Sequence, residues 1–136
     1  MPDDSRRERA EAIVAQSAAL NRQRDAEIAR AQRLIDEFVA TMNERGIPPA
    51  RLRARVPGRR TTYRTGRIGW YIRQNGSLAI GTDGEFYILD VPASVKSRVF
   101  GVSVERSDPP LVVGRGARDG ESFDLAELLS RAIPPN

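Results

Sequence analysis

From Ser5 to Arg45 the chain contains neither glycine nor proline. A run of that length built mainly from Ala, Arg, Glu, Gln and Leu favours one conformation, the α-helix, because these side chains lose least on entering it. At about 1.5 Å per residue it makes a rod of roughly 60 Å, longer than a small domain is wide. Asp4 or Ser5 is expected to cap the start, with Glu8 at the capping-box position for Ser5. Gly46 and the following Ile47-Pro48-Pro49 are expected to stop it, since glycine accepts the left-handed conformation past a helix end and proline cannot continue the ladder.

Within the rod, Ile28, Ala31, Ile35, Phe38 and Met42 recur at spacings of three and four, and Leu34 and Val39 widen the stripe. This is the candidate helix interface. It predicts that residues 25–45 dock on a domain and that residues 1–24 project as a solvated extension. Followed backwards, the register meets Arg24, Asn21, Ser17 and Val14, while Ile13 and Leu20 offer a sparse second seam. The alternative use of the stripe is a homodimeric coiled coil or a protein partner, although the good heptads are too few to make a convincing seam.

Beyond Thr62 the apolar period changes from helical to two, in RIGWYIR-QNG-SLAI-GTDG-EFYILDV, which predicts an antiparallel meander over residues 62–91. Two-residue loops at Asn75-Gly76 and Asp83-Gly84 would put Leu78 and Ile80 opposite in face to Trp70. Three-residue loops at Gln74-Asn75-Gly76 and Thr82-Asp83-Gly84 instead align Trp70, Ile72, Leu78, Ile80, Phe86 and Ile88 on one face. A one-residue slip inverts every side chain, so the register that gives a continuous apolar face is expected. The other face then carries Arg67, Tyr71, Arg73, Ala79 and Tyr87, with Leu89 at its margin. Gly101–Arg106 and Leu111–Val113 are short β-like runs expected to extend the sheet. Arg115–Gly120 reads as a loop, and Asp124 with Glu127 as the capping pattern of a helix over 124–133 whose apolar face is Leu125, Leu128, Leu129 and Ile133. The predicted fold is α+β: a long N-terminal helix, an antiparallel sheet of three to five strands and a short C-terminal helix. Residues 25–136 form a single domain in this reading, with an arginine-rich connection over 46–61 and the sheet over 62–113.

Charge is distributed unevenly. Residues 1–44 hold seven arginines against nine carboxylates, residues 45–82 nine arginines and no carboxylate, and residues 83–136 six basic against nine acidic groups. The middle block contains ARLRARVPGRRTTYRTGR, Ala50 to Arg67, in which Arg51, Arg53 and Arg55 alternate with Leu52, Ala54 and Val56. That alternation suits an edge strand with a basic outer face. A cluster of guanidinium groups repels itself unless it is solvated or meets an anion, and phosphate backbones are the commonest such anion. The candidate anion-binding set is Arg51, Arg53, Arg55, Arg59, Arg60, Arg64, Arg67 and Arg73, with Tyr63 and Tyr71 as stacking partners. RNA or DNA is the expected partner class. Arginine-rich usage also follows from a GC-rich coding genome, and the bland alternative is a solvated connection paired with the acidic flanks.

Several functions have little support. The chain has no cysteine and no histidine, which removes thiolate sites and the commonest acid/base and metal-binding side chain. No catalytic residue, cofactor or metal is expected, and the protein is read as a non-enzyme. A metal-dependent hydrolase using Asp83, Glu85 and Asp90 is a weaker alternative: Asp83 suits a turn before Gly84, and Glu85 and Asp90 fall on opposite faces of one strand. Gly114–Gly120 lacks the Lys-Ser/Thr ending of a phosphate loop. Ser94, Lys96 and Ser97 do not make a Ser-x-x-Lys spacing. No apolar run approaches the roughly 18 residues of a membrane span and the N-terminus lacks a signal-peptide core, so a cytoplasmic protein without membrane association is expected.

Overall fold

The computed structural model describes residues 2–93, 101–114 and 122–135. Helix α1 spans Pro2–Glu44. It already runs through Asp4 and Ser5, so neither is its cap. Its end follows the glycine-proline stop: Gly46 has φ 66°, Gly46 N–H donates to Asn43 O at 3.1 Å and Ile47 N–H to Met42 O at 3.0 Å. These are the paired bonds that satisfy the last carbonyls of a helix ending in left-handed glycine. Residues 4–26 are exposed apart from half-buried Ala18, and the stripe sinks into the core from Ala31 onward.

Five strands follow: β1 Ala50–Arg55, β2 Thr62–Tyr71, β3 Leu78–Gly81, β4 Phe86–Ile88 and β5 Arg106–Ser107. They lie in that order in one antiparallel sheet, so the fold is α+β with a five-stranded sheet. Trp70 pairs with Ile80, Leu78 with Ile88 and Ile80 with Phe86, and Gly76 and Gly84 take φ of 75° and 79°. This is the register in which the apolar residues align. Ile88 departs from it: it has the right parity but is 48% exposed, because the helical layer that covers the other residues of this face does not reach the sheet margin. Six residues of the expected connection over 46–61, Ala50–Arg55, are also strand. The run 111–113 does not join the main sheet. Instead, β6 Val112–Val113 pairs with β7 Phe123–Asp124 in a separate two-stranded ladder. Pro109 and Pro110 lack the N–H that would carry the first ladder onward, and Leu111 O accepts Leu125 N–H at 2.8 Å. Helix α2 is Leu125–Ala132. Asp124 occupies its N-cap position but makes no side-chain cap bond, unlike the capping pattern expected there.

The sheet buries both faces. On one, Ala31, Ile35, Phe38 and Met42 of α1 and Leu125, Leu128 and Leu129 of α2 pack on Trp70, Ile72, Leu78, Ile80 and Phe86. Phe38 meets Trp70 edge to face, centroids 6.0 Å apart, and Trp70 Nε1–H donates to Ile47 O at 3.1 Å. On the other face the sheet curls onto itself around Leu52, Ala54, Ala79, Tyr87, Leu89 and Val104. Arg55 N–H donates to Leu89 O and Val91 N–H to Arg55 O, both at 2.8 Å, so the end of β1 is bridged to the segment after β4. Two glycines permit the tight curl. Gly69 and Gly81 face each other across β2 and β3, and a Cβ on Gly81 would lie 2.8 Å from the Tyr87 ring.

Candidate functional site

The arginine segment is a β-hairpin. In β1, Leu52 and Ala54 are buried while Arg51 and Arg53 are exposed and Arg55 is half-buried. β2 returns with Arg64 directly opposite Arg53 and Thr62 opposite Arg55. Arg59 and Arg60 are exposed in the turn between the strands. The pairing shifts between Arg51 and Arg53, where Thr65, Gly66 and Arg67 bulge out: Gly66 has φ 73°, Thr65 Oγ1 donates to Leu52 O at 2.7 Å and accepts Arg67 N–H at 3.0 Å.

The predicted arginines divide by what holds them. Arg55 is paired with Asp90 at 2.6 Å. Arg67 lies 5.2 Å from the Tyr87 ring centroid and donates to Val104 O at 3.2 and 3.3 Å, so it serves the fold. Arg73 stacks 5.0 Å from the Phe123 centroid. Arg53 donates to Thr62 Oγ1 at 2.7 Å and to Thr62 O at 3.1 Å, neutral partners that orient the guanidinium and leave its charge intact. Arg51, Arg59, Arg60 and Arg64 have no side-chain hydrogen bond or ion pair among the described residues.

The aromatic part of the predicted surface changes. Tyr63 lies opposite Ala54 and is 8% exposed, so its ring offers no free face. Tyr87 is 1% exposed, because the curl of β1 brings Leu52 and Ala54 over that side of the sheet. Its hydroxyl donates to Asp83 Oδ2 at 2.7 Å. Burial, the hydrogen bond to Asp83 and the Asp83 charge push the phenol up from 10.0 to about 12, against the opposing pull of Arg67. Tyr71 remains 37% exposed. Its hydroxyl accepts Arg53 N–H at 2.9 Å, which fixes the ring beside the basic strand.

Two concavities flank Arg53. One, of about 800 Å³, runs between β1, the β2–β3 turn and α2, and is lined by Arg53, Arg55, Tyr71, Arg73, Asn75, Phe123 and Arg131 among others. The second, of about 570 Å³, lies over the bulge between Arg51, Arg53, Arg64, Arg67 and Ile68. Arg131, Phe123 and Asn75 were not legible as site residues. Arg131 looks like a solvated helix position, in an i,i+4 pair with Glu127 at 2.5 Å, and only the packing of α2 brings it to the groove.

The helix stripe is consumed by the fold. Ala31, Ile35, Phe38 and Met42 are buried against the sheet and Ile28 is half-buried, so it offers no free dimerisation seam. Among the described side chains, the large apolar residues that α1 leaves exposed are the scattered Ile13, Val14 and Leu20. The carboxylates are engaged separately, Asp83 by Tyr87 and Glu85 N–H, Asp90 by Arg55 and Glu85 by Arg106 at 3.5 Å. Among the described residues no group of three acidic side chains is placed to hold a metal. No described helix is long and apolar enough to cross a membrane. Ser94, Lys96, Ser97 and the 115–120 loop lie outside the described residues. The chain matches no protein-family model, no curated protein and no solved structure.

Proposed function

We propose that the protein is a non-catalytic binding module that captures the phosphate backbone of a nucleic acid on the outer face of its β1–β2 hairpin. The observation that carries this reading is the direct cross-strand apposition of Arg53 and Arg64, with Arg51, Arg59 and Arg60 nearby in the same hairpin and no described carboxylate paired to any of the five. Like charges opposite each other on a sheet are destabilising. A polyanion turns that cost into attraction, and it does so with the bidentate geometry that guanidinium offers to phosphate.

The test is fluorescence anisotropy with labelled RNA and DNA at two salt concentrations, on the wild-type protein and on Arg51→Gln/Arg59→Gln/Arg60→Gln/Arg64→Gln. Each neutralised phosphate contributes about 0.7–0.9 to the log–log salt slope, so the quadruple variant is expected to lower the slope by about three. Affinity and slope unchanged in a folded quadruple variant would refute the proposal.

A further inference from the structure

We infer that the bound form is single-stranded, with one unstacked base lying against Tyr71 in the groove between β1 and α2. The inference rests on the phosphate-backbone reading and deepens it. Tyr71 is the aromatic residue of the proposed set that keeps an exposed ring, and its orientation is fixed because its hydroxyl accepts Arg53 N–H at 2.9 Å. A ring held in place by its polar end loses little freedom when a base stacks on it. The groove's volume of about 800 Å³ lies within the roughly 300–1,000 Å³ of ligand clefts, room for a base and its sugar.

The surrounding groups match the chemistry of one nucleotide. Arg53, its guanidinium oriented by Thr62, lines both this groove and the one over the bulge, so a phosphate on Arg53 would link a base in the first groove to a backbone continuing past Arg51 and Arg64. Asn75 stands on the groove wall. Its Oδ1 accepts from Ser77 N–H at 3.0 Å and Ser77 Oγ–H at 2.6 Å, which leaves its amino group as a donor to a base edge. Stacking on a tyrosine face requires a base out of its helix, which a duplex does not present.

The experiment compares labelled single-stranded DNA, single-stranded RNA, an abasic sugar-phosphate strand and duplex DNA of equal length at one salt concentration, using the full chain. The wild-type protein is expected to bind the base-bearing single strands about tenfold or more tighter than the duplex and the abasic strand. Tyr71→Leu is expected to lose that margin and to bind all four alike, whereas Tyr71→Phe keeps the ring and the preference. The comparison with the abasic strand needs no variant, so it decides the matter even if Tyr71→Leu fails to fold. Equal wild-type affinity for single-stranded, abasic and duplex probes, with binding still lost in the quadruple arginine variant, overturns this inference and leaves the backbone reading standing. Binding to all probes that is indifferent to the quadruple substitution overturns both. A difference between the RNA and DNA arms assigns the sugar.

Discussion

Asp90→Asn should move stability and binding in opposite directions. Asp90 holds Arg55 at 2.6 Å where the end of β1 is bridged to the segment after β4. With about 4 Å between charge centres and an effective dielectric constant near 20, the gross attraction is about 4 kcal/mol. The two side chains are 27% and 34% exposed, so desolvation, screening and side-chain ordering leave about 1 kcal/mol. The flanking backbone bonds of Arg55 to Leu89 and Val91 survive the substitution, so the closure should persist. The variant's denaturation midpoint should fall by the equivalent of about 1 kcal/mol with an unchanged slope, showing that the same surface is exposed on unfolding. The same change removes a negative charge from the groove wall and leaves the Arg55 charge uncompensated, although the asparagine carbonyl can still accept its N–H. One additional phosphate contact would steepen the salt slope by about 0.7–0.9, and low-salt affinity should rise severalfold. A folded Asp90→Asn protein that binds oligonucleotide more weakly than wild type would refute the claim that the groove is read through its positive charge.

Two further predictions test the fold that holds the site. Phe38→Ala removes the ring that meets Trp70 edge to face in the helix–sheet core and should cost about 3–5 kcal/mol in chemical denaturation. The Tyr87 phenol, pushed up to about 12 in the folded protein, keeps its proton where the unfolded chain loses it. Its contribution is therefore complete below about pH 10 and lost as pH rises from 10 to about 12, at most roughly 1.4 kcal/mol per pH unit. Wild-type stability should fall relative to Tyr87→Phe across that window, and ultraviolet titration of the native protein should show one tyrosinate forming near pH 12 that the variant lacks.

The helix, its glycine-proline stop and the meander register were readable because each rests on a short-range rule. Gly76 and Gly84 take the left-handed conformation that three-residue loops require, and that choice decides which side chains face α1. The strand β1 was half legible, since Arg51, Arg53 and Arg55 alternate with apolar residues although Pro57 and Gly58 suggest a loop. The second core was not legible. Tyr87 reads as an outward-facing strand residue, and only the curl of β1, closed by the bridge at Arg55, brings Leu52 and Ala54 over that face and buries it. Likewise Tyr63 and Tyr71 share strand parity and offer the same cue, but Tyr63 lies opposite Ala54 inside the hairpin and is buried, whereas Tyr71 ends β2 with its hydroxyl on Arg53 N–H and stays exposed. Arg131 and Phe123 reach the groove through the docking of α2, a long-range event that no local pattern encodes.

The bond from Arg53 N–H to the Tyr71 hydroxyl has a consequence for crowding. An edge strand invites a second copy to add its own strand and begin a fibre. Here a phenol occupies one of the outward N–H groups of β1, and guanidinium charges line the same strand, so an incoming strand meets an interrupted ladder and electrostatic repulsion. On the proposed function, the same arginines serve two ends at once. Under the proposed reading, substitutions that neutralise its arginines would weaken phosphate capture and at the same time remove charge that disfavours edge-to-edge strand addition.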